Sequence, residues 1–133
     1  MTEREDPIKM HKQGISLMEN AKFEEARDLF IRTGELYYKG QNYFGAAEMY
    51  YKAGEAAVSL KDCKKGAELF MKSAEIAFSK AFERYGLSGL EQARDCQKVL
   101  GNVKEVEELE KKIKEINEKQ KEPEGEQSFS VFS

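Results

Sequence analysis

A reactive site needs an acid, a base, a nucleophile or a metal ligand set held at a fixed spacing. The side chains of that kind in this 133-residue sequence are few and scattered. His11 is the single histidine, which excludes most zinc sites and histidine-based general-base pairs. It reads as a surface or packing residue of a first helix. Cys63 and Cys96 have neither CxxC spacing nor histidine neighbours, so they read as small buried or half-buried thiols of a reducing compartment, with a disulfide between them as the alternative that no spacing supports. Glycines stand singly, never as GxGxxG or a phosphate loop. Glu24-Glu25 and Glu107-Glu108 fall in expected first helical turns or on solvated faces, where negative charge complements the helix dipole. Glu35, Glu55 and Glu75 recur at one spacing, either as an acidic lining or as an exposed structural row. No catalytic set emerges, and the expectation is a protein that is not an enzyme, with no metal and no cofactor.

What the sequence does contain is a repeat. FEEARDLFIRTGE (23–35), YFGAAEMYYKAGE (43–55) and CKKGAELFMKSAE (63–75) align at an offset of 20 residues, without gaps. Ala26, Ala46 and Gly66 correspond, then Phe30, Tyr50 and Phe70, then Thr33, Ala53 and Ser73, then Gly34, Gly54 and Ala74. Each site keeps its class: small, aromatic, small, small. Turn residues separate the copies at Glu19-Asn20-Ala21, Gly40-Gln41-Asn42 and Lys61-Asp62. A unit of 20 residues is therefore one helix of about 16 residues plus a tight turn, repeated antiparallel. Asp6 as N-cap and Pro7 at the first helical position start the series, and Ile8, Met10, Gly14, Leu17 and Met18 give the first helix its apolar face. Small residues at a crossing let helix backbones approach, and a ring from the next helix fills the notch. A buried Phe or Tyr contributes roughly 1.5–3 kcal/mol, which exceeds the roughly 1 kcal/mol a helical glycine costs.

Phe30-Thr33-Gly34-Tyr37-Ala46-Tyr50-Ala53 resembles the tetratricopeptide pattern, a helix–turn–helix unit of about 34 residues. The period here is nearer 40 per helix pair, and both helices of a pair carry the same signature. Those longer, self-similar helices, with AxxY…KAGE phrasing, resemble the variant found in the soluble NSF-attachment proteins over residues 8–80. The resemblance implies an all-α, antiparallel helix-turn-helix repeat array of five to six helices with a polar capping helix. It also implies a non-catalytic adaptor that presents a helical surface to a peptide or helix of a protein partner, itself helical or ATPase-linked. Carrying the tetratricopeptide groove over, anchored on Gly14 and Gly54, gives His11, Ile15 and Met18 on the first helix and Tyr51, Glu55 and Val58 on the third. The carboxylate-clamp subtype wants Lys and Asn near the starts of these sets, where His11 and Ile15 stand instead. Tyr38 and Phe44 flank a turn and are expected to be exposed. Tyr51 is the aromatic that the packing pattern does not require.

Past Ala74 the rhythm changes. The fourth helix is expected to run on through Ile76, Phe78, Phe82 and Tyr85 to Gly86 or Ser88-Gly89. LEQARDCQKVLG (90–101) then echoes FEEARDLFIRTG (23–34), with Ala93 at Ala26, Gln97 in place of the aromatic, and Gly101-Asn102 as a helix stop. Val103, Val106, Leu109, Ile113 and Ile116 form a narrow stripe on the following helix. A terminal cap is one reading and a short coiled coil or homo-oligomer contact the alternative. The expected organisation is a repeat domain over 1–121, with units near 7–40, 43–86 and a degenerate 89–121, and a disordered acidic tail over 122–133. Phe129, Val131 and Phe132 are apolar for such a tail and could form a docking motif.

Charge bounds the partner class. With 22 basic and 25 acidic residues mixed throughout, for a net charge of −3, nucleic acid is not the expected partner. No apolar run is long enough to span a membrane, and MTEREDPIKM lacks the apolar core of a secretion signal. The expectation is a soluble, cytoplasmic protein without membrane insertion.

Overall fold

The computed structural model describes the backbone of residues 4–132 and the side chains of residues 4–120. Helix starts and stops are set by a device that recurs every 20 residues. Ala21, Gln41, Lys61, Ala81 and Gly101 all take left-handed backbone, with φ of 58°, 65°, 61°, 64° and 76°. At each, the following N–H reaches back to close the helix end: Lys22 N to Leu17 O, Asn42 N to Tyr37 O, Asp62 N to Ala57 O, Phe82 N to Ala77 O and Asn102 N to Gln97 O, all within 2.8–3.0 Å. A second bond from the left-handed residue itself (Gln41 N to Tyr38 O, 3.0 Å) completes the Schellman geometry. At two of these turns the side chain of the next residue also caps the following helix. Asn42 accepts from Gly45 N at 2.9 Å and Asp62 from Lys65 N at 3.1 Å, as Asp6 accepts from Ile8 N at the start of the chain.

These turns delimit α1 (Pro7–Glu19), α2 (Phe23–Lys39), α3 (Tyr43–Ser59), α4 (Cys63–Ser79), α5 (Glu83–Leu100) and α6 (Val103–Phe132). The expected long fourth helix is corrected. α4 ends at Ser79, and Phe82 and Tyr85 belong to the start of α5. Nothing in Ser79-Lys80-Ala81-Phe82 is a conventional breaker, but Ala81 adopts the left-handed turn and Phe82 packs back against the core. The frame of the fifth copy is corrected with it. In steps of 20, Gly86 corresponds to Ala26, Leu90 to Phe30 and Ala93 to Thr33, so residues 83–95 are the copy rather than 90–101. The Gly101-Asn102 stop is where it was expected.

Each helix packs chiefly on its sequence neighbours, and the contacts obey a second rule. A glycine on one helix receives the ring found sixteen residues later on the next: Gly14 takes Phe30, Gly34 takes Tyr50 and Gly54 takes Phe70. A methyl placed on Gly54 would lie 2.9 Å from the Phe70 ring, nearer than real contacts allow, so the notch exists only because the side chain is missing. Phe30 and Phe70 are consequently almost wholly buried. At the next junction the pair becomes Ala74 and Leu90, which share one core cluster with Ile113. A larger notch residue is met by a smaller plug. The two buried hydroxyls are satisfied, Thr33 donating to Leu29 O and Ser73 to Ala47 O, both at 2.7 Å.

α6 closes the array. Ile113 is 7 % exposed, and Leu109 and Ile116 pack half-buried against the Ala74–Leu90 cluster. Val103, at 66 %, stays in solvent. Most of the stripe is therefore engaged inside the array, as a capping helix requires. The expected 122–133 tail, with Phe129, Val131 and Phe132, falls outside the residues whose side chains are described.

Candidate partner-binding face

α3 is the central helix, with nine buried residues on its flanks. What remains is one outward stripe: Phe44, Glu48, Tyr51, Lys52, Glu55 and Val58 stand at helical spacing, with Phe44, Glu55 and Val58 exposed. Exposure of Phe44 at 45 % and Val58 at 40 % on so buried a helix is unusual in kind, because neither side chain gains from water.

Beside that stripe lies α5. The Tyr51 hydroxyl shares a 3.0 Å hydrogen bond with Ser88 Oγ. Its ring stands edge-on to Phe70 at 5.0 Å and Tyr85 at 5.5 Å. Phe44 meets Phe82 and Tyr85 edge-on, both at 5.2 Å between centroids. Four aromatics thus join α3 to α5 directly, past the intervening α4. Tyr51 is half-buried and engaged at both ring and hydroxyl, so the structure makes it a tie between helices rather than a free surface aromatic. Burial raises the Tyr85 pKa first, and the nearby Glu48, Tyr51 and Glu55 raise it further, so its hydroxyl stays protonated. Glu55 reaches solvent, yet the protein mass around it still raises its carboxyl pKa, with Lys52 pulling the other way.

The remaining candidates are distributed. On α1, Ile15 is exposed, while Met18 packs half-buried against the main core cluster. His11 is half-buried with its Nε2 enclosed and unbonded. Tyr38 is exposed and edge-on to Tyr43 at 5.2 Å, and Lys80 Nζ lies 4.2 Å over the Tyr43 ring. Glu75 lines an open groove with Lys72, Gln97 and Leu100, which Glu55 does not border. Among the described residues no cluster of His, Cys, Asp or Glu could hold a metal, and no helix is long and apolar enough to cross a membrane.

Sequence reasoning missed Phe82, Tyr85 and Ser88 as members of this face. The signal was present, since a left-handed turn at 21, 41 and 61 extrapolates to 81 and places all three on a new helix.

Antiparallel helices in a 20-residue rhythm, paired by small residues and rings, define a tetratricopeptide-type helical-repeat protein. Within that class, the model of the soluble NSF attachment protein family matches residues 4–131, and the chain belongs to this family. No curated protein matches it.

Proposed function

We propose that the chain is a non-catalytic adaptor whose α3–α5 face receives a peptide or helix of a protein partner. The observation that carries this reading is the outward stripe of α3. The most buried helix of the array keeps Phe44, Glu55 and Val58 in solvent, beside a rigid aromatic floor built with α5. An amphipathic helix laid along such a face would use apolar anchors at i, i+3 and i+4 spacing and a basic group toward Glu55. Membership in an attachment-protein family supports protein partners in general. The alternative, an oligomerising module joined through 103–116, is less well supported, because Leu109, Ile113 and Ile116 already pack within the array.

The test starts with identification by mass spectrometry of a protein that co-purifies with the native chain, followed by affinity measurement with both components pure. Glu55→Lys combined with Val58→Asp is expected to weaken binding at least about tenfold, roughly 1.4 kcal/mol, with unchanged circular dichroism. Unaltered affinity would remove the α3–α5 face from consideration. Tyr51 is a poor choice of variant, since its loss would also loosen α5.

A further inference from the structure

Both cysteines lie in one small cluster at the α4–α5 junction. Cys63 opens α4 at its first position, half-exposed, and packs against a core formed by Ala67, Phe70, Ala93 and buried Cys96. Their approach has a structural cause. Gly66, one turn beyond Cys63, carries no side chain, and Cys96 Sγ comes to 3.3 Å from where its Cβ would be. Farther along, Gly89 of α5 is as close to α4, its absent Cβ lying 3.0 Å from Phe70 O. Two glycines on opposite helices thus let the α4 and α5 backbones approach closely, with both thiols at one end of that close crossing. Burial pushes the Cys96 thiol up to about 11, and the nearby Cys63 thiol contributes. One member of the pair is accessible and the other is enclosed.

We propose that Cys63 and Cys96 form an oxidisable dithiol, a modification site at which a hydroperoxide joins α4 to α5 through an intramolecular disulfide. Cys63 Sγ attacks one oxygen of hydrogen peroxide; the O–O bond breaks, one water leaves and Cys63 becomes a sulfenic acid. Cys96 Sγ then attacks the sulfenic sulfur; the S–S bond forms, the S–O bond breaks and a second water leaves. The two sulfurs lose two electrons, which reduce the peroxide to two waters. The cross-link closes a loop of about 33 residues between positions 63 and 96. Tyr51 borders the same cluster, so the cross-link fixes α5, which carries half of the aromatic floor, against α4.

The full-length chain, reduced and then freed of reductant, is titrated with hydrogen peroxide and mapped by non-reducing peptide mass spectrometry. The expected result is loss of both alkylatable thiols, a single Cys63–Cys96 cross-linked peptide and an intact mass lower by two hydrogens. Cys96→Ser should stop at a Cys63 sulfenic acid that dimedone traps, and Cys63→Ser should leave Cys96 reduced. Overoxidation of Cys63 to sulfinic acid without the cross-link in the wild-type chain would overturn the proposal. So would a disulfide found only between two copies, or thiols that survive a peroxide dose that oxidises free glutathione.

Discussion

At the α3–α4 junction the Phe70 ring sits where Gly54 has no side chain. At the α5–α6 junction the same two register positions are Arg94 and Glu110, which line an open groove with Ile113 and Lys114. The turns at Lys61 and Gly101 close in the same way, but the interlocking differs. Stacking is therefore specified junction by junction. The interlock lapses where a charged side chain occupies the notch, because a guanidinium cannot be desolvated under a ring without a buried partner; Arg94 turns to its neighbour Asp95 instead, at 3.1 Å. The step between these extremes, Ala74 with Leu90, shows the rule relaxing before it lapses.

The sharpest way to break this contrast is to truncate a buried side chain at each junction, the Phe70 plug and the best-buried residue of α6. Phe70→Ala should cost about 4 kcal/mol of unfolding free energy, and Ile113→Ala in the cap about 2 kcal/mol, both read by urea titration. Equal losses would mean that the α6 cap is locked as tightly as the interior. A subtler probe is Gly54→Ala, expected to destabilise by about 1–2 kcal/mol through overpacking against Phe70. Adding Phe70→Leu, in imitation of Ala74 and Leu90, should give a double-mutant coupling of about 1 kcal/mol in the compensating direction. Strict additivity would mean that notch and plug are not paired. The smallest effect separates the turns. Lys61→Gly should raise stability by about 1 kcal/mol by relieving left-handed backbone, and Gly101→Ala should lower it by a similar amount. A destabilising Lys61→Gly would show that the Lys61 side chain contributes more than its backbone strain costs.

The repeat, the helix count, the small-ring-small code and the Gly101 stop were all legible in the residues. So was the role of Asp6 and Pro7 at the start, since capping depends on two or three adjacent positions. The end of α4 was not, because the left-handed residue there is an alanine and the apolar face runs on into Phe82. Of the candidate face, Glu55 and Val58 are exposed, whereas Met18 packs half-buried against the core. Tyr51 looked superfluous to the pattern because its partners, Tyr85 and Ser88, lie more than thirty residues away.

By itself the sequence determined the period and the order of small and large at each crossing. These depend on a helix and its immediate successor, so two adjacent units of the repeat contain the information. Only the tertiary structure decided that α3 and α5 touch past α4, that Tyr51 is a tie, and that Cys63 and Cys96 share one cluster. Those outcomes depend on how closely three helices approach at once, which two glycines at the α4–α5 crossing set in space and which no local pattern records.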